Sequence, residues 1–285
     1  MNIFTKLKTT GGLTKSEKQI AEFILKDPVR FLSLSTDKIC KECYVSAPTI
    51  YRLCTKLNID GLSDLKVHIS ASIDDYITGN EEFDFNYPVK QNQTYYEVIK
   101  SLETDYTKTI ASTRDLFDLD QLRYSVNALK RAEQIDIYTS AGNLLFAENF
   151  KFQMQEIGVT VNVPEESYMQ QLTAASSNEK HIAILISFGG RSAGIAHLAY
   201  NLKKTKTPVI LITSPDDNPL KKYADYQLYM SYDEHHSNKI SSFSTRMTLL
   251  YILDTLYTCY YMRDYEENNK KKIRYYHRMT TEDDE

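Results

Sequence analysis

The sequence has 285 residues, of which 42% are hydrophobic and 25% are charged, and its formal net charge at pH 7 is -4. This length suits two domains, or one small and one medium domain, and the composition is that of an ordinary soluble protein. The acidic balance argues against a nonspecific coat for nucleic acid, and no apolar run approaches the roughly 20 residues that cross a bilayer.

The first residues, MNIFTKLKTT, lack the apolar stretch of a signal peptide, so we expect a cytoplasmic protein without a membrane partner. Cys40 and Cys43 have the spacing of half a zinc knuckle. A tetrahedral zinc site needs four ligands, and no second pair of cysteines or histidines lies nearby. Buried thiols are therefore the favoured interpretation, and neither a metal nor a cofactor is expected.

The first strongly predicted helix begins after Thr14. Thr14-Lys15-Ser16-Glu17 is a capping box, in which the Thr14 hydroxyl and the Glu17 carboxylate each close an unpaired amide. Apolar residues between 20 and 25 then supply one face of the helix, which Asp27-Pro28 should end.

Two short helices separated by a tight turn follow. The first begins at Ser35 and runs to about Cys43, and the turn covers residues 44–46. Ser46 is a good N-cap for the second helix, and Pro48 lies in its first turn, where a missing amide proton costs nothing. Two short helices with this spacing are typical of a helix-turn-helix motif.

The second of these helices has one apolar and one polar face. Ile50, Leu53 and Leu57 share the apolar face, which leaves the polar side chains of this helix, Thr49 included, pointing outward. In a helix-turn-helix such a face meets bases and phosphates; a solvated face on a small helical bundle is the alternative. The candidate DNA-binding residues are Ser46, Pro48, Thr49, Tyr51, Arg52, Thr55 and Lys56.

A family resemblance supports DNA binding. LTKSEKQIAEFIL and LSTDKICKECYVSAPTIYRLCTKLNIDGLSDLKVHI, within residues 13–69, resemble the N-terminal helix-turn-helix domain of RpiR-type transcription regulators. Asn58 stands where that family usually has glycine, and Asn also accepts the left-handed conformation that ends a helix. Residues 1–78 carry a net charge of +2, which permits contact with DNA.

We expect four segments: a helix-turn-helix domain over 1–78, a linker over 79–93, a second domain over 94–270 and a charged tail over 271–285. The second domain should begin with helices at 94–112 and 119–133. Short apolar runs then alternate with helical or loop segments, which predicts an α/β domain with a doubly wound parallel sheet of five strands. The predicted strands are 135–139, 159–163, 181–187, 208–213 and 225–230.

Small polar residues follow two of these strands, at 139–143 and 187–192. Ligands of open parallel sheets bind beyond the carboxyl ends of the strands, where amides and hydroxyls at a helix start suit an anion. The alternative is that these loops need glycine and serine merely to turn. The candidate ligand-binding residues are Ser140, Asn143, Ser187, Gly190 and Ser192.

Residues 120–262 resemble a SIS domain, the phosphosugar-binding module that follows the helix-turn-helix in RpiR-type proteins. SPDDNPLKKYADYQLYM and SSFSTRMTLLYILDTLY carry this resemblance. The two loops depart from the family patterns GxGxS and SxSGxT: Thr139, Ala141 and Asn143 occupy the three fixed positions of the first, and Gly189 replaces the middle serine of the second. An altered ligand, or the loss of binding, is therefore an open alternative.

A sugar-phosphate isomerase is the competing interpretation, since such an enzyme needs a Glu or His base. No spacing singles out one base, and an isomerase has no use for a helix-turn-helix, so we expect no enzyme and no catalytic residue. The candidate bases are Glu165, Glu166, His181, His197, His235 and His236.

The resulting hypothesis is a transcription regulator of carbohydrate metabolism genes. Its expected partners are operator DNA, a phosphorylated sugar effector and a second copy of the chain, as a homodimer or homotetramer. A helix from Arg246 to about Tyr265 should pack on the sheet or on a partner subunit, with the sheet favoured. If the altered loops bind no sugar, the SIS domain would serve dimerisation instead.

Overall fold

The computed structural model describes residues 3–79, 83–191, 193–231, 233–235 and 237–280. The chain forms two compact units, with the main division between Asp84 and Phe85. Residues 80–82 of the predicted linker, residues 281–285 of the predicted tail, Ser192 and His236 lie outside the described residues.

The first unit consists of short helices around one apolar core. The capping box confirms the predicted start of α2, because the Thr14 hydroxyl accepts from the Glu17 amide and the Glu17 carboxylate accepts from the Thr14 amide. Fully buried Ile20, Ile50 and Leu53 form part of the core. The helices are α1 (Ile3–Thr9), α2 (Lys15–Lys26), α3 (Pro28–Ser33), α4 (Thr36–Glu42), α5 (Ala47–Lys56) and α6 (Gly61–Gly79).

Helices α4 and α5 are joined by the turn that the sequence predicts. Asn58, just beyond the end of α5, has a φ of 59°, which confirms the predicted left-handed conformation at this position. Cys43 is a buried thiol, as expected, whereas Cys40 is only partly buried. Cys54 is also buried, and burial raises its pKa to about 11.

The second unit is an α/β domain. Within the described residues its five strands form one sheet in the order β2-β1-β3-β4-β5, with every neighbouring pair parallel, which confirms the predicted fold class. The strands are β1 (Gln134–Tyr138), β2 (Val161–Asn162), β3 (His181–Ile186), β4 (Val209–Thr213) and β5 (Tyr226–Tyr229). The helices are α7 (Tyr95–Leu116), α8 (Leu119–Arg131), α9 (Leu144–Gln155), α10 (Ser167–Ser176), α11 (Ala193–Lys204), α12 (Phe243–Arg263) and α13 (Tyr265–Thr280).

The sheet is covered on both faces because successive residues of a strand point to opposite sides. Ile182, Ile184 and Ile186 of β3 belong to a core that includes α8, α9 and α12. Ala183 and Leu185 belong to a second core with residues of α10 and α11. This arrangement explains why the strands read as continuous apolar runs in the sequence.

The last two helices extend the ordered chain further than predicted. Helix α12 begins at Phe243 and buries Leu249, Ile252, Leu253 and Leu256, which confirms the favoured packing on the sheet. Residues 271–280, predicted as a charged tail, continue helix α13. The Nζ atom of Lys272 lies 2.9 Å from a carboxylate oxygen of Glu156, so a specific ion pair ties this polar helix to the domain.

Among the helices of the described residues, none combines the length and the apolarity that crossing a bilayer requires.

Candidate functional site

Helix α5 exposes most of the residues predicted to meet DNA. Six of the candidate side chains are exposed: Ser46, Pro48, Tyr51, Arg52, Thr55 and Lys56. They lie on the face of α5 that points away from Ile50 and Leu53, because the helical repeat separates the two sets. This face is the candidate nucleic-acid interface.

The predicted position of Thr49 on the exposed face of α5 is wrong. Its side chain is buried, with 4% of the residue exposed, whereas the sequence predicts an outward position. The Thr49 hydroxyl oxygen lies 3.0 Å from that of Ser46 and accepts a hydrogen bond of 3.1 Å from Nη2 of Arg52. Arg52 uses only part of its five-donor guanidinium in this contact. Thr49 is therefore covered by an exposed arginine that it helps to orient.

Lys56 makes two hydrogen bonds within its own unit. Its Nζ atom donates a hydrogen bond of 2.7 Å to the Glu17 carboxylate and one of 2.8 Å to the carbonyl oxygen of Gly12. The hydrogen bond from Lys56 lowers the pKa of Glu17, with further contributions from Thr14. The ion pair connects the first turn of α2 to the last turn of α5, so Lys56 has a structural role besides any contact with phosphate.

Tyr44, in the turn between α4 and α5, is an exposed residue that the sequence does not single out. It is 89% exposed and has a φ of 53°. A bulky residue is rarely found in the left-handed region, and such strain is often retained at functional sites. No periodic pattern marks Tyr44, and a positive φ at a non-glycine residue cannot be read from one sequence.

A cavity of about 760 Å³ lies at the carboxyl ends of the strands in the second unit. The strand order 2-1-3-4-5 reverses direction between β1 and β3, and ligands of such sheets bind at this switch point. The two loops predicted from the sequence follow these two strands, and both line the cavity. The residues of the two loops that line it are Ser140, Ala141, Gly142, Asn143, Ser187, Phe188, Gly189, Gly190 and Arg191.

The first loop contains backbone strain. Ala141 has a φ of 54°, although the SIS pattern has glycine there and an L-residue adopts this conformation at a cost of about 1–2 kcal/mol. Thr139, where the pattern has its first glycine, is buried and donates its hydroxyl to the carbonyl of Ile186. The loop thus turns through a left-handed alanine, and neither fixed glycine of the pattern is present.

In the second loop the backbone of Gly190 lies close to the side chain of Asn218. The amide of Gly190 donates a hydrogen bond of 3.2 Å to the Ser187 hydroxyl oxygen, and no described residue accepts the hydroxyl proton of Ser187. Gly190 has a φ of 60°, and a Cβ atom there would lie 1.9 Å from Oδ1 of the buried Asn218. Only glycine fits this position. Ser192 cannot be placed, since it lies outside the described residues.

Residues that follow β5 supply another part of the cavity wall. Glu234, Lys239, Thr245 and Arg246 line the cavity, and the sequence singles out none of them as a ligand-binding residue. Two carboxylates, Asp216 and Asp217, also line it. One signal points to the segment, because residues that follow the carboxyl end of β5 must lie at the same edge of the sheet as the two loops.

The candidate bases of an isomerase are not brought together. Of those described, only His235 lines the cavity. His181 lies at the amino end of β3, with Nδ1 3.9 Å from Asp136, and Glu165, Glu166 and His197 are exposed elsewhere. Within the described residues, no group of three or more His, Cys, Asp or Glu side chains is arranged to hold a metal ion.

Comparisons with known proteins match both units. A helix-turn-helix domain of the rpiR family matches residues 1–75, and a SIS domain matches residues 128–258. An HTH-type transcriptional regulator of Haemophilus influenzae is 27% identical over 257 residues, which cover 90% of this chain and 88% of the relative. A similar regulator of Clostridium perfringens is 25% identical, with 92% of each chain covered.

Solved structures share the fold. The Vibrio vulnificus NanR protein complexed with ManNAc-6P is 17% identical, with a TM-score of 0.58 and 96% of each chain covered. The sugar isomerase domain of an RpiR transcription factor from Sphaerobacter thermophilus is 15% identical, with a TM-score of 0.57; the likeness covers 64% of this chain and 99% of that one. At these identities the likeness describes the fold alone.

Proposed function

Because the chain belongs to the RpiR-type transcription regulators, in which a helix-turn-helix domain precedes a SIS domain, we propose that it controls carbohydrate metabolism genes in response to a phosphorylated sugar. Its relatives are named as transcription regulators, and the chain is accordingly a regulator and not an enzyme. The observation that carries the sugar-phosphate proposal is the cavity at the β1/β3 switch point, to which both polar loops contribute.

The phosphate group of the effector is proposed to bind at the two loops. Ser140, Asn143 and Ser187 supply hydroxyl and amide groups, and Gly190 lies just before the start of α11, where free amides favour an anion. Arg191 lines the same part of the cavity and is exposed, so it can add a positive charge. The NanR structure, in which a protein of this fold is complexed with ManNAc-6P, is consistent with this assignment.

Operator DNA is proposed to meet the exposed face of α5. Arg52 is the strongest single candidate, because Thr49 holds it on the surface and is the one described residue that accepts a hydrogen bond from its guanidinium, which leaves donors for phosphates or a guanine edge. A homodimer would present two copies of α5 to two half-sites about one helical turn apart. The effector would then act through its different affinity for the two arrangements of the dimer.

A thermal-shift screen of the full chain against sugar phosphates and amino-sugar phosphates tests the effector. A ligand at 100 times its dissociation constant stabilises the protein by about 2.7 kcal/mol, which is readily measured. Ser187→Ala should reduce the shift, and Ser176→Ala, an exposed serine that does not line the cavity, should leave it unchanged. If no compound shifts the wild type, the SIS domain serves assembly rather than sugar binding.

DNA binding is tested with a duplex that the wild-type chain selects from fragmented genomic DNA. Arg52→Ala should weaken binding about tenfold or more, with retained helical content. Arg30→Ala is the matched control: it removes one positive charge from the same unit, but from a residue of α3 that pairs with Glu42. Equal losses in the two variants would mean that only net charge matters and that α5 does not read the duplex.

A further inference from the structure

One carboxylate in the wall of the cavity has an unused oxygen. Only 2% of Glu234 is exposed, and the residue lines the cavity. Its Oε2 accepts from the amide of Thr245 at 2.7 Å and from the Thr245 hydroxyl at 2.6 Å, close to the start of α12. Its Oε1 receives no hydrogen bond from any described residue.

Lys239 balances the charge of this carboxylate. Its Nζ atom lies 3.3 Å from Oε1 of Glu234, in a geometry that forms an ion pair without a hydrogen bond, and only 11% of its side chain is exposed. A buried carboxylate that keeps its charge needs a cation or several donors. The pair therefore places an acceptor and a donor side by side in the wall of the cavity.

We propose that Glu234 and Lys239 recognise a neutral hydrogen-bonding group of the effector, a hydroxyl or an N-acyl amide, at the end away from its phosphate. This inference rests on the proposed function. The ligand group would donate to Oε1 of Glu234 and accept from Nζ of Lys239, which satisfies the oxygen that the protein leaves unbonded. The phosphate belongs at the loops instead, where amides and hydroxyls suit an anion, because the Glu234–Lys239 pair carries no net charge to attract it.

The same arrangement disfavours a free amino group. An ammonium at Oε1 would share the Glu234 carboxylate with the ammonium of Lys239, so the repulsion between the two cations and the loss of the ligand's hydration offset its attraction to Glu234. The site thus selects among sugar phosphates: those with hydroxyl or N-acyl groups are preferred over those with a free amine.

The experiment is calorimetric titration of the full chain with two probes, inorganic phosphate and the sugar phosphate that gives the largest thermal shift. Glu234→Gln keeps the side-chain shape and one oxygen to accept from Thr245. This variant should weaken binding of the sugar phosphate about 10- to 100-fold. Inorganic phosphate should bind as tightly as before or more tightly. Glu179→Gln, the same change at an exposed glutamate that does not line the cavity, should change neither affinity.

Other outcomes refute defined parts of the proposal. An unchanged sugar-phosphate affinity in Glu234→Gln, or an equal loss for both probes, removes Glu234 as a recognition residue while the phosphate site stands. A wild type that binds neither probe removes the proposed effector function, and this inference with it. The two failures are thus distinguishable.

A comparison of ligands makes the test independent of the variant's folding. The wild type is titrated with N-acetylglucosamine 6-phosphate and glucosamine 6-phosphate, which differ in an amide and an ammonium, with glucose 6-phosphate as the hydroxyl analogue. The neutral compounds should bind at least tenfold more tightly than the free amine. Equal or tighter binding of glucosamine 6-phosphate would overturn the assignment.

Discussion

Replacing Glu17 by Gln should destabilise the helix-turn-helix unit by removing one buried charge. Only 1% of Glu17 is exposed, and its Oε2 accepts from the Thr14 amide and from Nζ of Lys56, each at 2.7 Å. Gln can still accept from Thr14, so the capping box survives the change in part. The stabilisation that is lost belongs to the contact between Glu17 and Lys56, which joins α2 to α5.

The expected magnitude follows from that contact. A hydrogen bond to a charged group contributes about 1.5–3 kcal/mol, and the 35% exposure of the Lys56 side chain reduces this by solvent screening. We therefore expect Glu17→Gln to cost about 1–2 kcal/mol. Lys56→Met should cost more, about 2–3 kcal/mol, because it leaves a buried carboxylate without its cation. The double variant should cost less than the sum.

Amide hydrogen exchange in the full chain measures these free energies without assuming that both units unfold together. The fully buried Ile20, Ile24 and Ile50 lie in α2 and α5 and report opening of this unit alone. Strict additivity of Glu17→Gln and Lys56→Met would refute the coupling. So would a Lys56→Met variant with wild-type protection, which would leave Lys56 available for phosphate contact only.

The pH dependence gives the same test a second readout. The pKa of Glu17 is lowered in the folded state by the hydrogen bond from Lys56, so the folded state favours the ionised form. The stabilisation is present above the unfolded pKa of about 4.3 and is lost as the pH falls through the lower folded pKa. Glu17→Gln should remove this acid-sensitive component, and an unchanged acid response would contradict the assignment.

Three further substitutions are predicted from strain and burial. Tyr44→Gly should raise the melting temperature, since it relieves a left-handed conformation that costs about 1–2 kcal/mol. The same variant should bind the selected duplex more weakly. A fall in both the melting temperature and the affinity would mean that the tyrosine ring packs in the fold. Ala141→Gly should leave stability unchanged or raise it by up to about 1 kcal/mol, whereas a clear loss on calorimetry would show that the strain is absent. Burial raises the pKa of Asp105, so its contribution to stability falls as the pH rises through that pKa. The melting temperature of Asp105→Asn minus that of the wild type should therefore be larger at pH 8 than at pH 4.5. A difference that does not change with pH would show that Asp105 does not contribute to the pH dependence of stability.

The sequence predicts most elements because their ends carry local signals. Thr14 and Glu17 mark the start of α2, Asn58 follows the end of α5, and apolar runs mark the strands. Helical periodicity misplaces Thr49 because a position at the edge of a helical face is decided by its neighbours in space. Here the side chains of Ser46 and Arg52 cover it, and no period of 3.6 residues encodes that.

The cavity could be predicted in part. Both loops after β1 and β3 line it, since parallel strands bring their carboxyl ends to one edge. Glu234 and Lys239 follow β5 in a segment without regular structure, so neither amphipathic periodicity nor a motif marks them. Their burial and their pairing exist only in the folded domain, where α12 supplies the Thr245 amide and hydroxyl.

Two polar contacts join helix α7 to neighbours of the cavity-lining residues, and they offer a physical route from effector to helix. Ser112 on α7 donates to Asp233, next to Glu234 in the chain, and Asp105 on α7 accepts at 2.9 Å from Ser244, next to Thr245. Asp105 is fully buried, with one carboxylate oxygen that receives no hydrogen bond from the described residues. A ligand that bonds to Glu234 would alter the positions of its neighbour Asp233 and of its partner Thr245, and buried polar contacts tolerate such changes poorly. Helix α7 is therefore the element through which we expect occupancy of the cavity to be transmitted, and exchange of its amides should change on effector binding in the wild type but not in Glu234→Gln.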